Sequence, residues 1–211
     1  MTSGHASDRR QRRSPASAER IRDAERSRQA LLSAALDEFS EKGFDRTRIQ
    51  DIADRAGVNK QLIAYYFGGK ENLYREIQRS WQESEAIFAD PALPLEEVAD
   101  RYLRAGLADP RAARLMAWQG LTGGDPGTDE TAETDLANLS RAGERGEIAA
   151  ELDPAFVRIA LTALVMAPAV LPDAILASTG VRPGTPEFED YYRTQLRRLT
   201  RRLAEDAGPE R

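Results

Sequence analysis

An all-α fold is what this sequence predicts: a group of short helices near the N-terminus, then a longer helical region. Three observations predict it. Apolar residues recur at three- and four-residue spacing through most of the chain. The two-residue alternation of strands is nearly absent. Gly, Pro and capping residues cut the periodic stretches into pieces of roughly 8–20 residues, the span of ordinary helices. The chain has 211 residues, enough for one or two domains, and 41% hydrophobic content supplies a core.

Residues 1–20 are rich in Ser, Ala and Arg without apolar periodicity, and read as a disordered basic tail. Its Arg9, Arg10, Arg12 and Arg13 either stay solvated or reach along a nucleic-acid groove. Residues 21–42 form a helix through Leu31, Leu32, Ala35, Leu36 and Phe39, ended by Gly43. Two short helices follow at 47–55 and 58–67. A longer one starts at Lys70 and carries Leu73, Ile77, Trp81 and Phe88 on one face. Pro91 and Pro94 break the chain. Helices are expected at 95–108 and 110–121, parted by Asp109-Pro110, before a Gly-rich loop at 123–127. A polar amphipathic helix spans 129–145 and stops at Gly146. Asp153 caps the next helix with Pro154 at its first position, and Pro168 kinks or finishes it. The last helix begins at Thr185-Pro186-Glu187 and ends near Asp206.

The informative stretch is residues 47–70. Thr47 and Gln50 have the spacing of a capping box, with Ile49 and Ile52 on the buried side of the helix it starts. Ala53 is small enough for a second helix to cross closely, and Gly57 tolerates the left-handed backbone of a tight turn. Val58 and Ile63 then anchor the second helix and leave its other face outward. Asn59, Lys60 and Gln61 lie at its start, where side chains and backbone amides meet phosphates and base edges. Asn and Gln pair with adenine, Lys with guanine, and the ring of Tyr65 suits a thymine methyl. The arrangement is a helix-turn-helix at 47–67; the alternative is an ordinary helical hairpin with a polar outer face.

Charge supports the first reading. The net charge of −5 divides into +4 over residues 1–80 (16 Lys/Arg, 12 Asp/Glu) and −9 over residues 81–211 (14 against 23). Phosphate binding needs a local basic surface rather than a basic protein. There is no cysteine, and the single histidine, His5, lies in the tail. Residues 120–127 lack the lysine and flanking strand of a phosphate loop. No catalytic residue, metal ligand or cofactor is therefore assigned, and the chain is not expected to be an enzyme. No stretch approaches the roughly 18 apolar residues of a membrane helix, so no membrane partner is expected and the location is expected to be cytoplasmic.

Residues 27–77 resemble the tetracycline-repressor (TetR) family of bacterial regulators. The resemblance rests on Ala34-Ala35, Phe39 and Gly43-Phe44, on Ile52-Ala53-x-x-Ala56-Gly57-Val58, and on the run from Tyr66 to Leu73. It implies that Thr47, Arg48, Tyr66 and Lys70 hold phosphates, and that Gln50, Lys60, Gln61, Leu62 and Tyr65 face the bases. The sequence departs from the family pattern at Arg48, Ala64 and Gly69, where Ser/Thr, Tyr and a Ser cap are common. It further implies three segments: the tail at 1–20, a three-helix DNA-binding domain at 21–68, and a ligand-binding and dimerisation domain at 69–206.

Family members add about six helices that build a small-molecule pocket and a dimer interface. Tyr192, Leu196, Leu199 and Leu203 form one stripe of the last helix. It either meets Leu161, Leu164 and Val165 across two subunits in a four-helix packing, or packs within one chain. Candidate pocket residues are Trp81, Phe88, Tyr102, Met116, Trp118 and Met166, Trp118 being preferred; ordinary core packing is the alternative for each. The expectation is a homodimeric repressor on near-palindromic double-stranded DNA, released by an unknown small-molecule effector. The alternative is a DNA-binding regulator without such a ligand, governed by a protein partner or acting architecturally.

Overall fold

The computed structural model describes residues 17–85, 90–123 and 132–204. Within them lie ten helices and no strand: α1 (Ser17–Arg46), α2 (Ile49–Ala56), α3 (Gln61–Phe67), α4 (Lys70–Glu85), α5 (Leu95–Ala108), α6 (Arg111–Thr122), α7 (Ala132–Glu144), α8 (Pro154–Val170), α9 (Pro172–Thr179) and α10 (Pro186–Arg201). The tail arginines, Phe88 and the Gly-rich loop beyond Gly123 lie outside the described residues.

Helix α1 is the spine of the N-terminal half. Leu31, Ala35 and Phe39 recur on one face and are fully buried with Ile52, Ala53, Ile63 and Leu73. A large apolar side chain buried this way contributes about 1.5–3 kcal/mol. Ile77 of α4 and Leu115 of α6 enter the same cluster, so the core around the helix-turn-helix also takes in the start of the C-terminal helices. Gly43 breaks α1 with φ 77 and ψ 168, close to where the sequence stops it, and a last turn continues to Arg46.

The remaining helices pack on α5, α8 and α10. Asp153 caps α8 as its sequence predicts, accepting from the Ala155 and Phe156 amides, and Thr185 accepts from the Phe188 amide at α10. Pro168 lies in the last turn of α8, which ends at Val170 and turns by 92° into α9, an element the sequence pattern did not signal. Proline has no N–H, so the Leu164 carbonyl four residues earlier loses its helical donor. The Tyr192 hydroxyl of α10 donates to that oxygen at 2.8 Å.

That bond ties the apolar stripe of α10 to α8. Tyr192 and the buried Leu196 pack on Leu161, Leu164 and Val165 of the same chain, and Leu203 packs on a neighbouring cluster with Val157 and Leu139. Leu199 alone of the stripe stays outward, 46% exposed. Within one chain Leu196 is buried, whereas Leu161, Leu164, Val165, Tyr192 and Leu203 remain only half-buried. The α5–α10 seam is closed by ion pairs: Asp100, buried, accepts from Arg193 at 2.8 and 2.9 Å and from Arg197 at 3.1 Å, and Glu96 pairs with Arg201. Among the described residues no single helix is long and apolar enough to cross a membrane.

Candidate nucleic-acid interface

The turn between α2 and α3 forms as the local sequence dictates. Gly57 takes the left-handed conformation (φ 67, ψ 30), and its amide and that of Val58 return to the Ala53 and Asp54 carbonyls. Asn59 then accepts from the Gln61 amide at 2.9 Å through Oδ1 and fixes the first turn of α3. Half of the Asn59 side chain is spent on this, so it positions the helix more than it reads bases.

Ile63 and Phe67 hold α3 to the core, with Leu62 and Tyr66 half-buried beside them. The outward face carries Lys60, Gln61, Ala64 and Tyr65, the last 78% exposed and edge-on to Tyr66 at 5.0 Å. Gln50 on α2 is exposed, its amide donating to Asp54 at 2.7 Å.

Two expectations about the first motif helix are corrected. Thr47 is no capping residue: Arg48 occupies the cap position without a side-chain hydrogen bond, and Gln50 turns to Asp54. Thr47 is 2% exposed, and its hydroxyl donates to the Gly43 and Glu38 carbonyls at 2.8 and 3.1 Å. It pins the helix-turn-helix to the bend in α1, which leaves its side chain no face for a phosphate. Ile49 points outward, 36% exposed, while Ile52 is buried. Helix α2 begins at Ile49, one residue later than a cap at Thr47 would start it.

The electrostatics of this end follow from which charges are already paired. Arg55 reaches back to α1, with Glu38 at 2.8 Å and a bidentate hold on Glu41 at 2.8 and 2.9 Å. The Arg55 hydrogen bond keeps the Glu41 carboxyl below its ordinary pKa, and Lys42 pairs with Glu38 at 2.5 Å. Glu38 and Glu41 beside the motif are thus neutralised internally. Arg48 and Lys60 have no hydrogen bond or ion pair among the described residues. Lys70, at the first turn of α4, rests its ammonium over the Phe44 ring at 4.2 Å. Free or ring-held cations therefore flank the exposed face of α3, the pattern a phosphate backbone requires.

Of the five pocket candidates among the described residues, Trp118 alone lines either groove found there. Trp118 lines an open groove of about 290 Å3 with Ser40, Arg114, Leu121, Val170 and Pro172. Trp81, Tyr102 and Met166 are half-buried elsewhere, and Met116 is exposed. A second groove of about 250 Å3, beside Glu96 and Arg201, holds none of them. Arg114 and Leu121 share the Trp118 face of α6 at helical spacing, a signal the sequence carried. The α8–α9 corner that completes the groove had none. No cluster of His, Asp or Glu able to hold a metal ion occurs among the described residues.

Comparison with known proteins agrees with this geometry. Residues 31–77 match the family described as bacterial regulatory proteins, tetR family, and residues 94–202 match the tetracyclin repressor-like C-terminal domain. The transcriptional regulator RutR of Escherichia coli is 38% identical over 112 residues, which are 49% of this chain; the chain spans about half of that relative, 52%. The transcriptional repressor SCO4008 of Streptomyces coelicolor is 30% identical across 86% of this chain and 98% of its own length. Among solved structures, SCO4942 of Streptomyces coelicolor aligns with a TM-score of 0.70 at 24% identity, covering 84% of this chain and 98% of that one. A gamma-butyrolactone receptor (ArpA-like protein) aligns at 0.60 and 21% identity, covering 85% and 98%. At these identities the two structures attest the fold.

Proposed function

The chain belongs to the TetR family of bacterial DNA-binding transcriptional regulators, and from that premise we propose a homodimeric repressor that a small molecule releases from a near-palindromic operator. The observation that carries the DNA half is the outward face of α3, where Gln61 and Tyr65 stand free of the core between unpaired Lys60 and Arg48. In this reading Gln61, Lys60, Tyr65 and the exposed Gln50 address base edges, and Arg48, Tyr66 and Lys70 fix the register on phosphates. Leu62, half-buried beside them, is the apolar member of the base-facing set. Residues 21–68 act as the DNA-binding unit and residues 69–206 as the ligand-binding and dimerisation unit. Such a protein works in the bacterial cytoplasm, beside its DNA.

The dimer face is drawn from residues that one chain leaves uncovered. Phe156 and Ile159 on α8 are 65% and 63% exposed, and Tyr191 and Leu199 on α10 add to the apolar surface. Two copies joined there would present two recognition helices, and half-sites one helical turn apart, about 34–36 Å, follow. Repression is the sense carried by the name of SCO4008. The effector must bind the DNA-incompetent arrangement more tightly, or nothing is released. A regulator without a small-molecule ligand is the second reading; the openness of both grooves to solvent favours it.

The test is selection of bound duplexes from a random pool at physiological salt, with sedimentation of the complex. A near-palindromic motif bound by two chains is the expected result. A folded protein that enriches no motif, or binds as a monomer to an asymmetric site, would overturn the proposal.

A further inference from the structure

The groove beside Trp118 has features that a packing defect does not explain. Three elements meet there: α1 through the buried Ser40, α6 through Arg114, Trp118 and Leu121, and the α8–α9 corner through Val170 and Pro172. Among the described residues its walls are apolar apart from the Ser40 hydroxyl, which donates to the Asp37 carbonyl at 2.9 Å, and one guanidinium. Arg114 is exposed and makes no hydrogen bond or ion pair among the described residues, whereas Arg111, one turn earlier, is held by Asp109 and Asp37 at 2.6–2.8 Å. The nearby Glu41 carboxylate is already taken bidentately by Arg55. Arg114 feels the Glu41 charge without a hydrogen bond to it, and a guanidinium at the edge of an apolar slot presents a planar fork of donors that fits a carboxylate. The volume, about 290 Å3, lies at the lower end of small-molecule sites and suits a small ligand.

The same indole touches the DNA-binding end. Trp118 lies against Gly43, where a Cβ would stand 3.1 Å from Cδ2 and 3.2 Å from Cε3 of the ring. Arg46 lies over that ring at 5.9 Å. The Gly43 carbonyl in turn accepts the Thr47 hydroxyl that seats α2. Trp118, the bend at Gly43 and the Thr47 anchor of α2 are thus in direct contact, one after the next.

We propose that this groove binds a small carboxylate with a flat or short-chain apolar body, its carboxyl on Arg114 and its body on Trp118, and that occupancy alters the Gly43 bend. The effect on DNA rests on the ligand-released reading above; the binding itself does not.

The experiment uses the full chain carrying Trp81→Phe, which leaves Trp118 as the single indole of the two in the sequence. Benzoate, phenylacetate and hexanoate are titrated to millimolar concentration, with benzamide as the neutral control, while Trp118 emission and operator affinity are read. A saturable emission change with a carboxylate and none with benzamide is expected. Arg114→Gln, shown folded by its thermal midpoint, should weaken that binding about tenfold or more, the loss of a charge-assisted hydrogen bond. No saturable change with any of the three acids overturns the site, as does binding indifferent to Arg114→Gln. Release of operator by an acid that leaves Trp118 emission and the Arg114 variant unmoved keeps ligand release and removes this groove. Binding that depends on Arg114 but leaves operator affinity unchanged keeps the groove and removes ligand release.

Discussion

Replacing Gly43 by alanine tests the joint between the two halves of the molecule. The residue is buried at φ 77 and ψ 168, a region that is essentially restricted to glycine, and holding an L-residue there costs about 1–3 kcal/mol. The added Cβ also meets the Trp118 ring at 3.1 Å, and overpacking of this kind costs about 1–3 kcal/mol more. Gly43→Ala should therefore lose about 2–6 kcal/mol by urea denaturation, each kcal/mol lowering Tm by about 2–4 °C in a chain of this size. The steric part belongs to the indole and the backbone part does not. In a Trp118→Leu background the same substitution should cost about 1–3 kcal/mol less, a coupling read directly from the double-mutant cycle. Operator affinity should fall in the Gly43→Ala protein even where it remains folded, since the Thr47 anchor moves with the bend. A loss below about 0.5 kcal/mol would refute the backbone argument. An equal loss in both backgrounds would show that Trp118 is not what the new methyl meets.

Gln61→Ala should cost about 1–3 kcal/mol at one operator position and relax preference there, whereas Lys70→Ala should weaken all sequences alike and flatten the salt dependence; competition binding across single-base operator variants separates the two, and identical profiles would break the assignment. Ile159→Glu places a charge on the proposed dimer face and should convert the dimer to monomer in sedimentation, with unchanged assembly removing α8 from the interface. Tyr192→Phe leaves the Leu164 carbonyl without a donor and should destabilise the fold by about 1–3 kcal/mol, measured by urea midpoint; a neutral substitution would mean that carbonyl finds water. Arg193 and Arg111 hold the Asp100 and Asp109 carboxyls below their ordinary value of 3.8, and Arg201 does the same for Glu96. These groups bind protons more readily unfolded than folded, so their stabilisation is present above about pH 4 and drains away as pH falls through the lowered folded values. Arg193→Met should flatten that acid limb of the stability curve, and an unaltered limb would exclude Asp100 as a contributor.

Much of this protein was legible before any tertiary contact was considered. Helix periodicity, the Asp153-Pro154 and Thr185-Pro186 starts, the left-handed Gly57 and the outward Gln61 and Tyr65 are properties of a few consecutive residues. Local sequence determines them because caps, turns and helical faces are set within one or two turns of chain. What covers a face is settled by residues far away, and there the sequence reading failed. Thr47 resembled a cap until the bend at Gly43 offered its hydroxyl two buried carbonyls. The stripe of α10 carries no sign of which surface it meets first, and the carbonyl of Leu164 freed by Pro168 draws Tyr192 onto α8 within the chain. The five pocket candidates among the described residues shared chemistry but no groove, while Arg114 and the α8–α9 corner drew the groove around Trp118. The sequence alone determined which helices form and which motif they carry, because those depend on neighbouring residues. Tertiary structure alone decided which faces remain free to act, because burial is a property of the whole packed chain.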